Sequence, residues 1–139
     1  MIDKIKDFEN IINFKFPSDY KEFLIKNNVE SIIGKIYDFT NIYGDIDTSN
    51  IRNVYTFIEG EDNIATTYDW ELEMENTMEG VIPIVCDEGD NLICISLRKN
   101  DYGKIYFIDH EIGVENGEED MAIIANSFKE FLDLLRDDI

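Results

Sequence analysis

Apolar side chains recur at Ile2, Ile5, Phe8, Ile11 and Ile12, three and four residues apart. That spacing predicts a helix over residues 2–12 with one buried face. "FPSDYKEFLIKNN" predicts a second helix, with Tyr20, Phe23 and Leu24 on its apolar face. Ser18 is placed to cap its start, Asp19 and Glu22 lie near the positive end of its dipole, and Asn27 or Asn28 can take the left-handed stop after Lys26. From Gly34 the pattern changes. "GKIYDFTNIYG" and "IRNVYTFIEG" are rich in β-branched and aromatic residues and predict short strands. "VIPIVC", "NLICISL" and "KIYFID", separated by the turn formers "DEGD" and "RKNDYG", predict an antiparallel meander. Pro83 cannot donate to a ladder, which places its strand at an edge or Pro83 at the strand's start. Phe128, Phe131, Leu132 and Leu135 make the face of a last helix, and Ser127 and Glu130 have the spacing of a capping box.

One stretch reads two ways. In residues 63–79, Glu71, Glu73 and Glu75 alternate with Leu72 and Met74, as in a strand. Ala65, Tyr68, Leu72 and Met74 can instead share one side of a loose helix, and we favour the helix. Two helices, then strands, then a helix predict an α+β fold: an antiparallel multi-stranded sheet packed with N-terminal and C-terminal helices. A chain of 139 residues suits a single domain spanning 1–139.

Charge changes the picture of what such a domain binds. The net charge is −19, and it is unevenly placed. From Asn53 to Leu97 there are eleven acids and no lysine or arginine, and from Ile105 to Phe128 six acids and again none. Residues 1–52 are nearly balanced, with nine acids and seven basic residues. A negative field of this kind repels phosphate backbones and anionic membrane surfaces, so neither nucleic acid nor membrane is an expected partner. It attracts a basic protein. No apolar run approaches the ~20 residues of a membrane span. The amphipathic, charged N-terminus does not read as a signal peptide, so a cytoplasmic location with reduced cysteines is expected.

The chemistry-bearing residues point away from catalysis. Asp87 to Asp90 reads as a hairpin loop that sets Cys86 opposite Asn91 and Cys94 opposite Pro83, which implies no disulfide. With no nearby activating cation expected, both thiols read as small core residues. Asp87, Glu88 and Asp90 lack the spacing of a calcium loop. His110, the only histidine, has no nucleophile-elbow motif to serve and too few companions for zinc. No phosphate-binding loop or dinucleotide fingerprint occurs. No cofactor, metal or catalytic residue is therefore expected. Trp70, the only tryptophan, is set in "YDWELEMENTMEG". An aromatic anchor among carboxylates suits an interface that receives arginine and lysine, as against a partly buried packing residue.

The ordered set of motifs resembles the SUKH superfamily, the Smi/Knr family of immunity and cell-wall regulatory proteins. "FPSDYKEFLIKNN" is similar to that family's Pro-x-x-Tyr-x-x-Phe-Leu-x-x-Asn-Asn opening. "VIPIVCDEGDNLICISL" is similar to its Ile-Pro-Ile strand, acidic-glycine turn and next strand, "GKIYFIDHE" to its Gly-x-Val-Tyr strand, and "SFKEFLDLL" to its terminal helix. Where the family has glycines after the asparagines, "NNVES" stands here. The resemblance implies a sheet wrapped by helices and, in bacteria, an immunity protein that neutralises the toxin of a contact-dependent or polymorphic system, many of them nucleases. It implies no catalytic residues. Charge and aromatic content then nominate Trp70, Glu71, Glu73 and Glu75, with Asp87, Glu88 and Asp90, as the toxin-binding residues. A regulatory scaffold without a toxin partner is the alternative, and an enzyme using carboxylates the third.

Overall fold

The computed structural model describes residues 1–58 and 63–139. The helical spacing at the N-terminus folds as α1 (Ile2–Ile12), which buries Ile5, Phe8 and Glu9. Its successor α2 (Ser18–Lys26) buries Tyr20, Phe23 and Leu24 and stops at Asn27 in the left-handed conformation. Ser18 is not the cap: Pro17 occupies that position and Ser18 is the first helical residue. Asp19 lies in the first turn, as the sequence implied, and accepts from the Tyr20 N–H at 2.8 Å and from the Lys129 N–H at 3.0 Å. The Glu9 carboxylate, buried in α1, accepts the Phe16 N–H at 2.7 Å and pairs with Lys21 at 3.1 Å, so its burial is compensated.

Among the described residues the strands form two antiparallel sheets. β1 (Ile36–Thr40) and β2 (Ile46–Asn50) make a hairpin. β3 (Asn53–Val54), β4 (Val81–Cys86), β5 (Leu92–Ser96), β6 (Ile105–Ile108) and β7 (Met121–Ala125) make a five-stranded meander in that order. α3 (Ile64–Glu73) lies between β3 and β4 in the chain, and α4 (Phe128–Leu134) follows β7. The fold is α+β.

β4 and β5 are buried at every position, the sign of a sheet covered on both faces. The inner face, with Ile82, Ile93, Ile95 and Ile105, packs on the helices through Phe8, Tyr20, Phe128 and Phe131. On the outer face Val81, Leu92, Cys94, Tyr106, Ile108 and Met121 are covered by Met78 and Val114. That second layer consists of the two segments poorest in cations.

Several sequence expectations change. β4 lies between β3 and β5, so Pro83 is neither at an edge nor first in its strand. Its missing donor is tolerated because β3 pairs only with Val85 and Cys86, and the β4–β5 register shifts between Pro83 and Val85. Cys86 faces Leu92, not Asn91, because Asp87 to Asn91 forms a five-residue turn closed by an Asp87–Asn91 backbone bond of 3.2 Å. Cys94 faces Pro83, as the sequence implied, and both thiols are free and buried. Among the described residues of "IRNVYTFIEG", Asn53–Val54 is the one strand. The end of that stretch, and the acids Glu59, Glu61 and Asp62, lie outside the described residues. The favoured helix in 63–79 is present as α3.

Candidate functional site

α3 is started by Asn63, whose Oδ1 accepts the N–H groups of Ala65 at 2.9 Å and Thr66 at 3.2 Å. Ile64 and Tyr68 then turn inward, and the Tyr68 hydroxyl accepts the Gly80 N–H at 3.0 Å. With those positions fixed, the 3.6-residue repeat aims Trp70 and Glu73 outward. Trp70 is 61% exposed and Met74, four residues on, is 53% exposed. Trp70 is therefore a surface residue, not a packing residue. Asp69, Glu73, Glu75 and Glu79 are exposed along the same stretch. Glu71 is half-buried, with Oε2 accepting Asn76 Nδ2 at 3.0 Å. Burial, the Cys86 thiol and the nearby charge of Glu71 push the Tyr55 phenol up.

Glu75 adopts φ 60° just past α3, and its carbonyl accepts the Val114 N–H at 3.1 Å. Gly113 makes that approach possible: a Cβ there would stand 2.7 Å from the Glu75 oxygen, and its φ of 63° suits glycine. This junction joins the segment after α3 to the loop between β6 and β7. It thereby sets the exposed Glu111, Glu115, Glu118 and Glu119 in the same layer as Asp69, Glu73, Glu75 and Glu79. The cation inserted there, Arg98, is satisfied by Asp101, by Glu118 at 2.8 Å and by Met78 Sδ at 3.0 Å. The layer thus presents an exposed indole in a segment of exposed carboxylates, and Arg98 is already engaged.

The other nominated acids lie at the far end of β4. The six residues of β4 span about 20 Å. There Asp87 is 4% exposed. Its Oδ1 accepts from the Gly89 and Asn91 N–H groups, both at 2.9 Å, and its Oδ2 from Ser49 Oγ at 2.6 Å and Asn91 Nδ2 at 3.1 Å. Asp87 is thus spent on building the turn. Asp90 pairs with Arg52 at 2.7 Å, and the exposed Glu88 gives its N–H to Asn50 Oδ1 at 3.0 Å.

Arg52 also corrects the expectation of no cation near the thiols: its Nη2 lies 3.3 Å from Cys86 Sγ. Cys94 is buried, and burial pushes its thiol well up, away from the reactive thiolate. His110 is exposed at the end of β6, with Nδ1 3.0 Å from Asn91 Oδ1, where it braces the turn. Among the described residues no group of three or more His, Cys, Asp or Glu side chains is placed to hold a metal ion. No helix among them is long and apolar enough to cross a membrane.

Comparison with known families matches this chain over residues 2–134 to the SMI1 / KNR4 family model. The chain belongs to the SMI1 / KNR4 family (SUKH-1). It is also 29% identical, over 98% of its length and 74% of the relative's, to the SPbeta prophage-derived uncharacterized protein YokK of Bacillus subtilis (strain 168). The family is known for immunity proteins rather than catalysts.

Reading the sequence alone did not nominate Glu111, Glu115, Glu118 and Glu119. Their signal, the second cation-free stretch, was visible, but their place beside Glu75 depends on the Gly113 junction, a tertiary contact.

Proposed function

We propose that this SUKH-1 protein is a bacterial immunity protein that binds a basic toxin domain and blocks it stoichiometrically. The contact surface is the acidic layer centred on Trp70, with Glu71, Glu73 and Glu75, extended by Glu111, Glu115, Glu118 and Glu119. Glu88 and Asp90 form a second group of acids at the far end of β4, and Asp87 holds that turn in shape. The supporting observation is an indole 61% exposed in a segment of exposed carboxylates, with Arg98, the cation inserted beside it, already paired with Asp101 and Glu118. A toxin that grips nucleic acid carries a cationic groove, and an array of carboxylates can take the place of its phosphates.

Co-expression with the open reading frame beside its gene tests the reading. Cells should survive the toxin only with this protein present, and the two should co-purify. Trp70→Ala should weaken binding by roughly 30-fold, a loss typical of a central aromatic anchor. Equal killing with and without the protein contradicts the proposal.

A further inference from the structure

Asparagine is a labile residue where the next main-chain nitrogen can reach its carboxamide. The chain has thirteen asparagines, seven of them followed by a β-branched residue and one, Asn116, followed by glycine. A side chain after asparagine shields that nitrogen, and glycine has none. Asn116 and Gly117 lie in the β6–β7 loop, at the start of the one-turn 3₁₀ helix Gly117–Asp120. Asn116 is exposed, and a Cβ at Gly117 would meet nothing within 4 Å, so no neighbour packs against the bond between them. The Asn116 carboxamide takes part in no hydrogen bond among the described residues, whereas those of Asn41, Asn63, Asn76 and Asn91 are held. One bond restrains the Gly117 nitrogen: its N–H donates to the Val114 carbonyl at 2.9 Å, closing a surface turn. Exposed turn bonds of this kind open at the low end of local unfolding free energies. The turn therefore gates the nitrogen and does not bury it.

We propose that Asn116–Gly117 is a self-modifying site, at which the amide of Asn116 becomes an acid without an enzyme. The Gly117 nitrogen attacks Asn116 Cγ. The new N–Cγ bond forms, the Cγ–Nδ2 bond breaks, and ammonia leaves with the proton from Gly117. Water then opens the cyclic imide in one of two ways. Cleavage of the N–Cγ bond gives aspartate. Cleavage between the Gly117 nitrogen and the Asn116 main-chain carbonyl gives isoaspartate, with the chain now running through the former side chain. Either product adds a negative charge to the loop that carries Glu115, Glu118 and Glu119. Isoaspartate also lengthens the main chain by a methylene where the Asn116 N–H is bonded to Asp120 Oδ2 at 2.7 Å. Asp120 is only 6% exposed, so losing that donor leaves a buried carboxylate poorly compensated and loosens the loop. Any effect on a partner rests on the reading of this loop as part of the contact surface; the chemistry does not.

Ageing the purified full chain in warm, mildly alkaline buffer tests the site without any toxin. Peptide mass mapping at intervals reads conversion of amide to acid, and labelling with an isoaspartate methyltransferase reads the rearranged product. Conversion should come first at Asn116, at least about tenfold faster than at any other asparagine, because glycine alone leaves the attacking nitrogen unshielded. Isoaspartate should be the larger product, and amide hydrogen exchange over residues 114–121 should be faster in the converted protein. An Asn116→Gln variant, whose longer side chain closes the ring far more slowly, should keep both its mass and its exchange pattern over the same period. Three results overturn the proposal: Asn116 intact in the native protein, whether or not the urea-unfolded chain converts; another asparagine converting first; or unchanged exchange in the converted protein. Loss of toxin protection in cells bears on the proposed function, and this ageing experiment bears on Asn116 alone.

Discussion

Asp101 shows what one residue contributes. Its carboxylate, buried at the β5–β6 turn, accepts from Ser96 Oγ, Arg98 Nε and Nη2, and the Tyr106 hydroxyl. Burial raises the pKa of this carboxyl, but the bonds from Arg98, Ser96 and Tyr106 outweigh it and hold Asp101 below the usual carboxylate value. A folded-state pKa below the unfolded one, about 3.9, gives stability that is present above that pH and is lost as pH falls through the folded value. Asp101→Asn should therefore cost about 2–4 kcal/mol in urea unfolding at neutral pH, because it removes the buried charge on which Ser96, Arg98 and Tyr106 converge. The gap to the native protein should narrow as pH drops below about 4. An equal gap at all pH values contradicts this assignment. "RKNDYG" was legible as a turn, yet nothing in it marked Asp101 as the hub, since two of its donors, Ser96 and Tyr106, lie on the flanking strands. Asp87 was legible as an acid and not as a scaffold for the same reason: its Ser49 partner is distant in the chain.

At the scale of elements, α3 decides which acids face outward. As a strand, Glu71, Glu73 and Glu75 would have shared one face. As a helix, Glu73 and Trp70 are exposed while Glu71 tucks against Asn76. The alternation of acids could not reveal this, whereas Asn63 as a cap and Tyr68 as an inward anchor to Gly80 do. Asn63→Ala should lower stability by about 1 kcal/mol, with hydrogen exchange accelerated in the first turn of α3. Unchanged exchange there contradicts the cap. The core elements α1, α2, β4, β5, β6 and α4 were legible because their apolar periodicity is strong. β2 was not, since "IDTSN" is a largely exposed polar strand held by its register with β1. β7, "MAIIA", carried only a short apolar run that competed with the acidic loop before it.

For the whole molecule, the family motifs coincide with buried structure, and this is why family and fold could be read from sequence while the binding surface could not. Tyr20, Phe23 and Leu24, the strand residues of "VIPIVC" and "NLICISL", and Phe128 with Phe131 are core. The surface property that distinguishes this chain is electrostatic. Two cation-free stretches are joined by the Val114–Glu75 bond into one anionic layer, while lysines 4, 6, 15, 21 and 26 lie on or beside α1 and α2. Charge of this arrangement acts chiefly on encounter rate and its dependence on salt. The most direct test is stopped-flow association with the cognate toxin domain across ionic strength, comparing the native protein with an Asp69→Lys, Glu73→Lys, Glu75→Lys variant. Native association should slow steeply with salt, and the variant should be at least tenfold slower at low salt with a flatter dependence. Identical rates and identical salt slopes for the two proteins would contradict it.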